Sequence, residues 1–331
     1  MSLRRLLVLA AALAIPFTGL STPLAQADSA TATVQANLAG LAYLPPQAVT
    51  GRSSAATTRA IRTFQQHRCL DAVGNAGSRT RAQLDAQTSA VQKVVGARVD
   101  GASDADTRRR TAAWQKRHGL RADGRADAAT LKAMGLHRDR ACGRGVVGNI
   151  RAASDRVACA PGTRNLGVHT GYAAGRPVRI RLCAIPGLRS SSSESVPGSR
   201  YYVRGANGDA IVNSRASSAY LGLVRVAGNS GRTLRANSSF RTMAHQRDLC
   251  RGNAACRRGT YTWVMRPGWS NHQLGAAVDF AGTHTKGSCS RPARQPSSAT
   301  WGFLQRNAGR FGIRQYQPES WHWEAAPSPC R

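Results

Sequence analysis

Sliding the sequence along itself by 50 residues superimposes 51–84 on 101–134. Gly51, Ser53, Ala55, Thr57, Arg59, Gln65, Leu70, Ala72, Gly74, Ala76 and Thr80 meet identical residues at 101, 103, 105, 107, 109, 115, 120, 122, 124, 126 and 130, and Phe64 meets Trp114. A repeat of this period means that the first half of the chain is built from copies of one small unit. In the first copy Thr57, Ala60, Ile61 and Phe64 have helical spacing. The second reads "TAAWQKRHGLRADGRADAATLKAMG", a helix, a Gly-marked turn and a helix. The spacing therefore predicts a small all-helical domain, with repeat 1 over 36–86 and repeat 2 over 87–136.

Ahead of it stands "MSLRRLLVLAAALAIPFTGLSTPLAQA", two arginines, an apolar run and the small-x-small triplet Ala25, Gln26, Ala27. This is the pattern of a cleaved secretory leader, so 1–27 is read as a signal peptide and the protein as secreted, either extracellular or associated with the cell wall. No later stretch is apolar and long enough to span a membrane. Export turns the eight cysteines, at 69, 142, 159, 183, 250, 256, 289 and 330, into expected disulfides. None is spaced as a zinc-type Cys-x-x-Cys pair. Cys250 with Cys256 would staple a short loop, and Cys289 with Cys330 would tie down the C-terminus. The net charge is +31, two less once Arg4 and Arg5 leave with the leader, and only four of the 47 basic residues are lysines. Codon usage in a GC-rich genome accounts for that arginine bias as well as a ligand would. If the charge is functional, an exported protein meets anionic wall polymers or membrane surfaces before nucleic acid.

The helical units resemble the peptidoglycan-binding repeats of bacterial wall hydrolases, whose pattern is a Thr, an aromatic-Gln pair, a Leu, an Asp-Gly turn, then a Thr and a Leu. "FQQHRCL" and "WQKRHGLRADG" carry that resemblance. It implies that the N-terminal half holds the protein on peptidoglycan; the alternative is a pair of helical spacers.

After a linker at 137–154 the texture changes. "VRIRLCAI" alternates apolar residues with arginine as a half-buried strand does. Ala216, Ala219, Tyr220, Leu223, Val224 and Ala227 form one helical face ended by Gly228. Five of the six tryptophans lie beyond residue 260, which places the larger core and an aromatic cleft there. Two polar clusters interrupt this half. In "GWSNHQLGAAVDF" (268–280) a carboxylate at Asp279 sits in an apolar strand, where it needs a partner or a cation. In "PESWHWE" (318–324), read as a strand, Trp321 and Trp323 fall on one face and His322 with Glu324 on the other. Two histidines, a carboxylate and a spare glutamate are the needs of a catalytic zinc: three protein ligands, an open position for water and an uncoordinated base. His272, Asp279 and His322 fit the ligand roles, and Glu319 the base. His284, five residues after Asp279, competes as third ligand. His67, His118, His137, His169 and His245 are read as surface or hydrogen-bonded core histidines.

The Ser-x-His-x-x-Gly-x-Ala-x-Asp pattern at Ser270, His272, Gly275, Ala277 and Asp279, followed by Glu-x-Trp-His at Glu319, Trp321 and His322, resembles the zinc D-Ala-D-Ala carboxypeptidases of the VanY type. "SSFRTMAHQ" resembles the family's Ser-x-x-Arg followed five residues later by Gln, with Phe240 where Tyr is more usual. The resemblance implies an α+β catalytic domain over 155–331, with a central antiparallel sheet and flanking helices. It also implies a zinc cofactor on His272, Asp279 and His322, Glu319 as general base and Arg241 as a catalytic and substrate-holding residue. Ser238 and Gln246 become substrate-facing, and Ser270 supports the ligands. The implied activity is removal of the terminal D-alanine from peptidoglycan stem peptides by a monomer. Two alternatives remain: an endopeptidase of the same fold cutting within the stem (L-Ala-D-Glu type), and a wall-binding protein with a structural zinc. A nucleic-acid binder ranks last, because no folded nucleic-acid motif is present and the basic residues are spread along the chain.

Overall fold

The computed structural model describes residues 28–136, 149–261, 263–288 and 291–325. The expected leader, most of the linker and the Cys289 to Cys330 pairing lie outside them. The first half is all helical: α1 (Ser29–Gly40), α2 (Ala55–His67), α3 (Ser78–Val95), α4 (Ala105–Arg117) and α5 (Ala128–Ala133). It begins with a helix that the repeat pattern did not reach. The repeated glutamines and threonines explain themselves as joints between successive helices. Gln65 donates to the Asn75 carbonyl (2.8 Å) and to Thr80 Oγ1 (3.0 Å), and accepts from the Gly74 N–H (2.9 Å). Gln115 does the same with Arg125, Thr130 and Gly124. Gln35 joins α1 to α2 through Arg52, Thr57 and Gly51, and Gln92 joins α3 to α4 through Ala102, Thr107 and Gly101. Each amide is buried with both ends satisfied, so it costs little to bury and fixes the helix-to-helix turn. The real period is thus one helix and one joint, used four times.

The second half is α+β. Its strands are β1 (Arg164–Ala173), β2 (Arg176–Ser190), β3 (Asp209–Asn213), β4 (Arg235–Ser238), β5 (Ala277–Phe280), β6 (Arg314–Gln315) and β7 (His322–Glu324). They form one sheet in the order β1-β2-β4-β5-β7-β6, with β3 also paired to β2; every pairing is antiparallel except β2 with β4. The predicted "VRIRLCAI" strand lies within β2. The predicted apolar helix is α6 (Ser214–Asn229), whose Ala216, Ala219, Tyr220, Leu223 and Ala227 are buried. Tyr220 lies wholly inside and donates its hydroxyl hydrogen between the Ala276 and Trp323 carbonyls (3.1 and 2.9 Å), bolting α6 onto the two strands that carry the site. α7 (Met243–Gly252) and α8 (Ala254–Arg257) are closed by the expected Cys250–Cys256 disulfide. Cys159–Cys183 ties the entry segment to β2, and Cys69 is also disulfide-bonded.

The two halves are docked. The loop after α2 presses against the end of α6 and against α9 (Ala299–Asn307), with Asp71 at the centre. Asp71 takes both Arg306 Nε (2.9 Å) and an Arg306 terminal nitrogen (2.8 Å), the Asn307 amide (3.0 Å) and, at 3.5 Å, Arg232. Its own N–H donates to Ser230 Oγ (2.6 Å), and Asn229 donates to the Cys69 carbonyl (3.3 Å). In the second copy the position of Asp71 is occupied by Arg121, whose side chain is exposed.

Candidate active site

The three motifs come together because they occupy neighbouring strands. Ser238 ends β4, Asp279 lies on β5 directly opposite it, and His322 on β7 is the cross-strand partner of Asp279 on the other side. His272 arrives from a short 3-10 turn, Asn271–Leu274, capped by Ser270, whose Oγ accepts the His272 N–H (3.3 Å). The glycine of the pattern has a physical cause. Gly275 ends this turn at φ +66°, and a Cβ there would lie 2.7 Å from the Asn213 backbone nitrogen. The Arg241 N–H donates to the His272 carbonyl (3.0 Å), which fixes the arginine beside the histidine.

Three ligand atoms converge. His272 Nε2 lies 3.2 Å from Asp279 Oδ1 and 3.2 Å from His322 Nδ1, and His322 Nδ1 lies 2.9 Å from Asp279 Oδ1. Tetrahedral zinc with bonds of about 2.0–2.1 Å holds its ligands about 3.3 Å apart, so the trio fits the ion with a few tenths of an ångström of adjustment. Electrostatics agree. Burial alone would push Asp279 up, yet His272 and His322 beside it hold its carboxyl well below the ordinary range. His272 is pushed down by burial. His322, against its own burial, is pushed up to about 10 by hydrogen bonds to Asp279 and Glu324. The cluster therefore demands positive charge at one place, supplied by a proton on His322 or by a divalent ion. Among the described residues this trio is the group of histidine, cysteine and acidic side chains able to hold a metal.

Around it lies a cleft of about 170 Å³ walled by Tyr261, Trp263, Met265, Trp269, Tyr316 and Trp321, with Glu319, Arg241, Asn271 and Glu324 supplying polar atoms. Glu319 Oε2 is 4.0 Å from His322 Nδ1, and burial pushes its carboxyl up. Arg241 is mostly buried, with one terminal nitrogen 4.0 Å from Asp279 Oδ2. Ser238 Oγ (3.1 Å) and Gln246 Oε1 (2.9 Å) accept from it, and Gln246 in turn donates to the Met265 carbonyl (2.7 Å). Ser238 and Gln246 thus hold Arg241, which lines the cleft. His284 stays away from the trio, against Trp321 and near Asn237. His245 bonds the buried Glu194 (2.7 Å) and stacks on Tyr201. The sequence reading assigned no role to Tyr316, Asn271 or Glu324. Glu324 was detectable as the residue sharing the His322 face of its strand.

Fold and donor set define a candidate one-metal hydrolytic centre on an α+β sheet. Residues 209–327 match the family model described as VanY, D-alanyl-D-alanine carboxypeptidase, and residues 28–84 and 92–134 match a putative peptidoglycan binding domain. The chain therefore carries a VanY-family domain behind an N-terminal peptidoglycan-binding region. Among solved structures it is similar to a mutant of the vancomycin-resistance D,D-pentapeptidase VanY from a VanB-type cassette in complex with Zn(II). Identity there is 26% over 37% of this chain and 76% of that one, with a TM-score of 0.28. It is also similar to VanYB in complex with D-alanine-D-alanine (24%, covering 41% and 83%, TM-score 0.28) and to the LdcB LD-carboxypeptidase (22%, covering 43% and 66%, TM-score 0.32). No curated protein matches the chain. No helix among the described residues is long and apolar enough to cross a membrane.

Proposed function

We propose that the protein is a zinc peptidase of the cell wall that removes the terminal D-alanine from peptidoglycan stem peptides. The observation that carries this reading is the convergence of His272, Asp279 and His322 within 3.2 Å of one another, with Glu319 beside them and Arg241 across the same cleft. A zinc ion held by the trio would supply Lewis acidity and make a water molecule acidic enough to attack near neutral pH. Glu319, close to the trio and raised by burial, accepts the proton of the attacking water and delivers it to the departing amine. Arg241 is a permanently charged fork held in place by Ser238 and Gln246. It holds the free carboxylate of the substrate, the group that distinguishes a terminal from an internal bond. The aromatic walls exclude water and pack on the peptide. The peptidoglycan-binding region raises the enzyme's local concentration on its substrate. Disulfides and a peptidoglycan-binding region point to an extracytoplasmic setting, and the expected leader supplies the route.

Mass spectrometry of defined muropeptides tests the reading. Pentapeptide stems should lose one alanine, whereas the C-terminally amidated pentapeptide should not react. Internal cleavage of tetrapeptide stems, or equal turnover of the amidated substrate, would install the endopeptidase alternative instead.

A further inference from the structure

The two histidines of the trio present different ring nitrogens, His272 its Nε2 and His322 its Nδ1. A neutral imidazole ligates through the bare nitrogen, so the other must carry the proton and find an acceptor. For His272 that acceptor is the Ser239 carbonyl, 2.6 Å from Nδ1. For His322 it is a carboxylate: Glu324 Oε2 lies 3.2 Å from Nε2. Glu324 is 1% exposed, and the Asn271 amide donates to the same oxygen (2.5 Å). The placement follows from the strand, since residues 322 and 324 share one face of β7. It also ties two ligand-bearing elements, because Asn271 immediately precedes His272 in the 3-10 turn.

We propose that Glu324 is a positioning residue for the metal centre: its carboxylate accepts the hydrogen bond of the His322 Nε2–H, which leaves Nδ1 unprotonated toward the ion, and it adds a second negative charge behind the ligand. This rests on the proposed zinc reading and adds a residue that takes no part in the ligand trio or the proton transfer. A buried carboxylate costs several kcal/mol without compensation, and a divalent cation one imidazole away compensates it while gaining basicity in its ligand. Asn271 holds the carboxylate on the correct side. The arrangement is asymmetric, a neutral backbone acceptor behind one histidine and a charge behind the other, so disturbing Glu324 should alter the tautomer of His322 and not that of His272.

The test is zinc affinity, measured by chelator competition on the full chain, together with the His322 tautomer read from imidazole nitrogen NMR shifts. Wild type is expected to bind one zinc with His322 protonated at Nε2. Glu324→Ala should lower the affinity about 10-fold to 100-fold, the usual effect of losing such a partner, and should mix the His322 tautomers while leaving His272 unchanged. Glu324→Gln, which keeps the shape without the charge, should fall between the two and decides the matter if the alanine variant does not fold. Wild-type affinity in whichever variant decides overturns the role of Glu324 while leaving the zinc reading intact. A wild-type protein that takes up no zinc overturns both.

Discussion

Replacing Asp71 with alanine tests the docking of the helical region onto the catalytic domain. The carboxylate is 6% exposed and receives Arg306 through two nitrogens, the Asn307 amide and the more distant Arg232, all from the other half of the chain. Removing one partner of a buried pair costs about 3–5 kcal/mol when the survivor stays buried. Here the Arg306 and Arg232 side chains are 35% and 37% exposed. The stranded cations can turn toward water, which discounts the loss to about 2–3 kcal/mol. At about 2–4 °C per kcal/mol for a domain of this size, the transition that includes the interface should fall by about 4–12 °C in scanning calorimetry. The sign of the pH dependence is fixed too. Burial alone would raise Asp71, but Arg306, Asn307 and Arg232 leave it lowered. A depressed carboxylate contributes stability that is present above the unfolded value of about 3.9 and is lost as pH falls through the folded value. The gap between wild type and variant should therefore be full at neutral pH and should close in acid below about pH 4. A variant melting within a degree of wild type at pH 7, or a gap that widens in acid, refutes the argument.

Asp279→Ala and His322→Ala should abolish stoichiometric zinc by metal analysis, whereas Glu319→Gln should keep the metal and lose about 100-fold to 10,000-fold in turnover, the scale of a general base. Arg241→Lys, which keeps charge but loses the fork, should raise KM for free-acid pentapeptide about 10-fold or more in steady-state assays. Deleting residues 28–136 should slow hydrolysis of intact sacculi without slowing that of a soluble pentapeptide, assayed below the melting temperature of the truncated protein. Equal rates on both substrates relative to the full chain would identify the helices as spacers.

The trio of His272, Asp279 and His322 was legible because its signals are local. His272 and Asp279 lie seven positions apart and Glu319 and His322 three, and each short motif carries its own geometry: the Gly275 turn for the first, strand alternation for the second. What the sequence left open was how the motifs meet, and the answer is cross-strand register, Ser238 and His322 flanking Asp279 on either side. Register in a sheet whose neighbours are distant in sequence has no periodic signature of its own. The same holds for Ser238 and Gln246: spacing brings them to Arg241, where both accept its hydrogen bonds, but spacing does not tell which way a side chain faces.

Asp71 shows the limit most sharply. The 50-residue shift aligns it with Arg121, and the repeat pattern alone does not say which of the two turns is docked. In the structure the first copy's turn is consumed by the catalytic domain, through contacts that span 235 residues from Asp71 to Arg306, while the equivalent turn of the second copy stays open. A repeated unit thus meets two surroundings from one fold: the joints built on Gln35, Gln65, Gln92 and Gln115 recur from helix to helix, while Asp71 of the first copy is docked and Arg121 of the second is exposed. This docked face, centred on Asp71 with Arg306 and Asn307, holds the helical region against the second half of the chain.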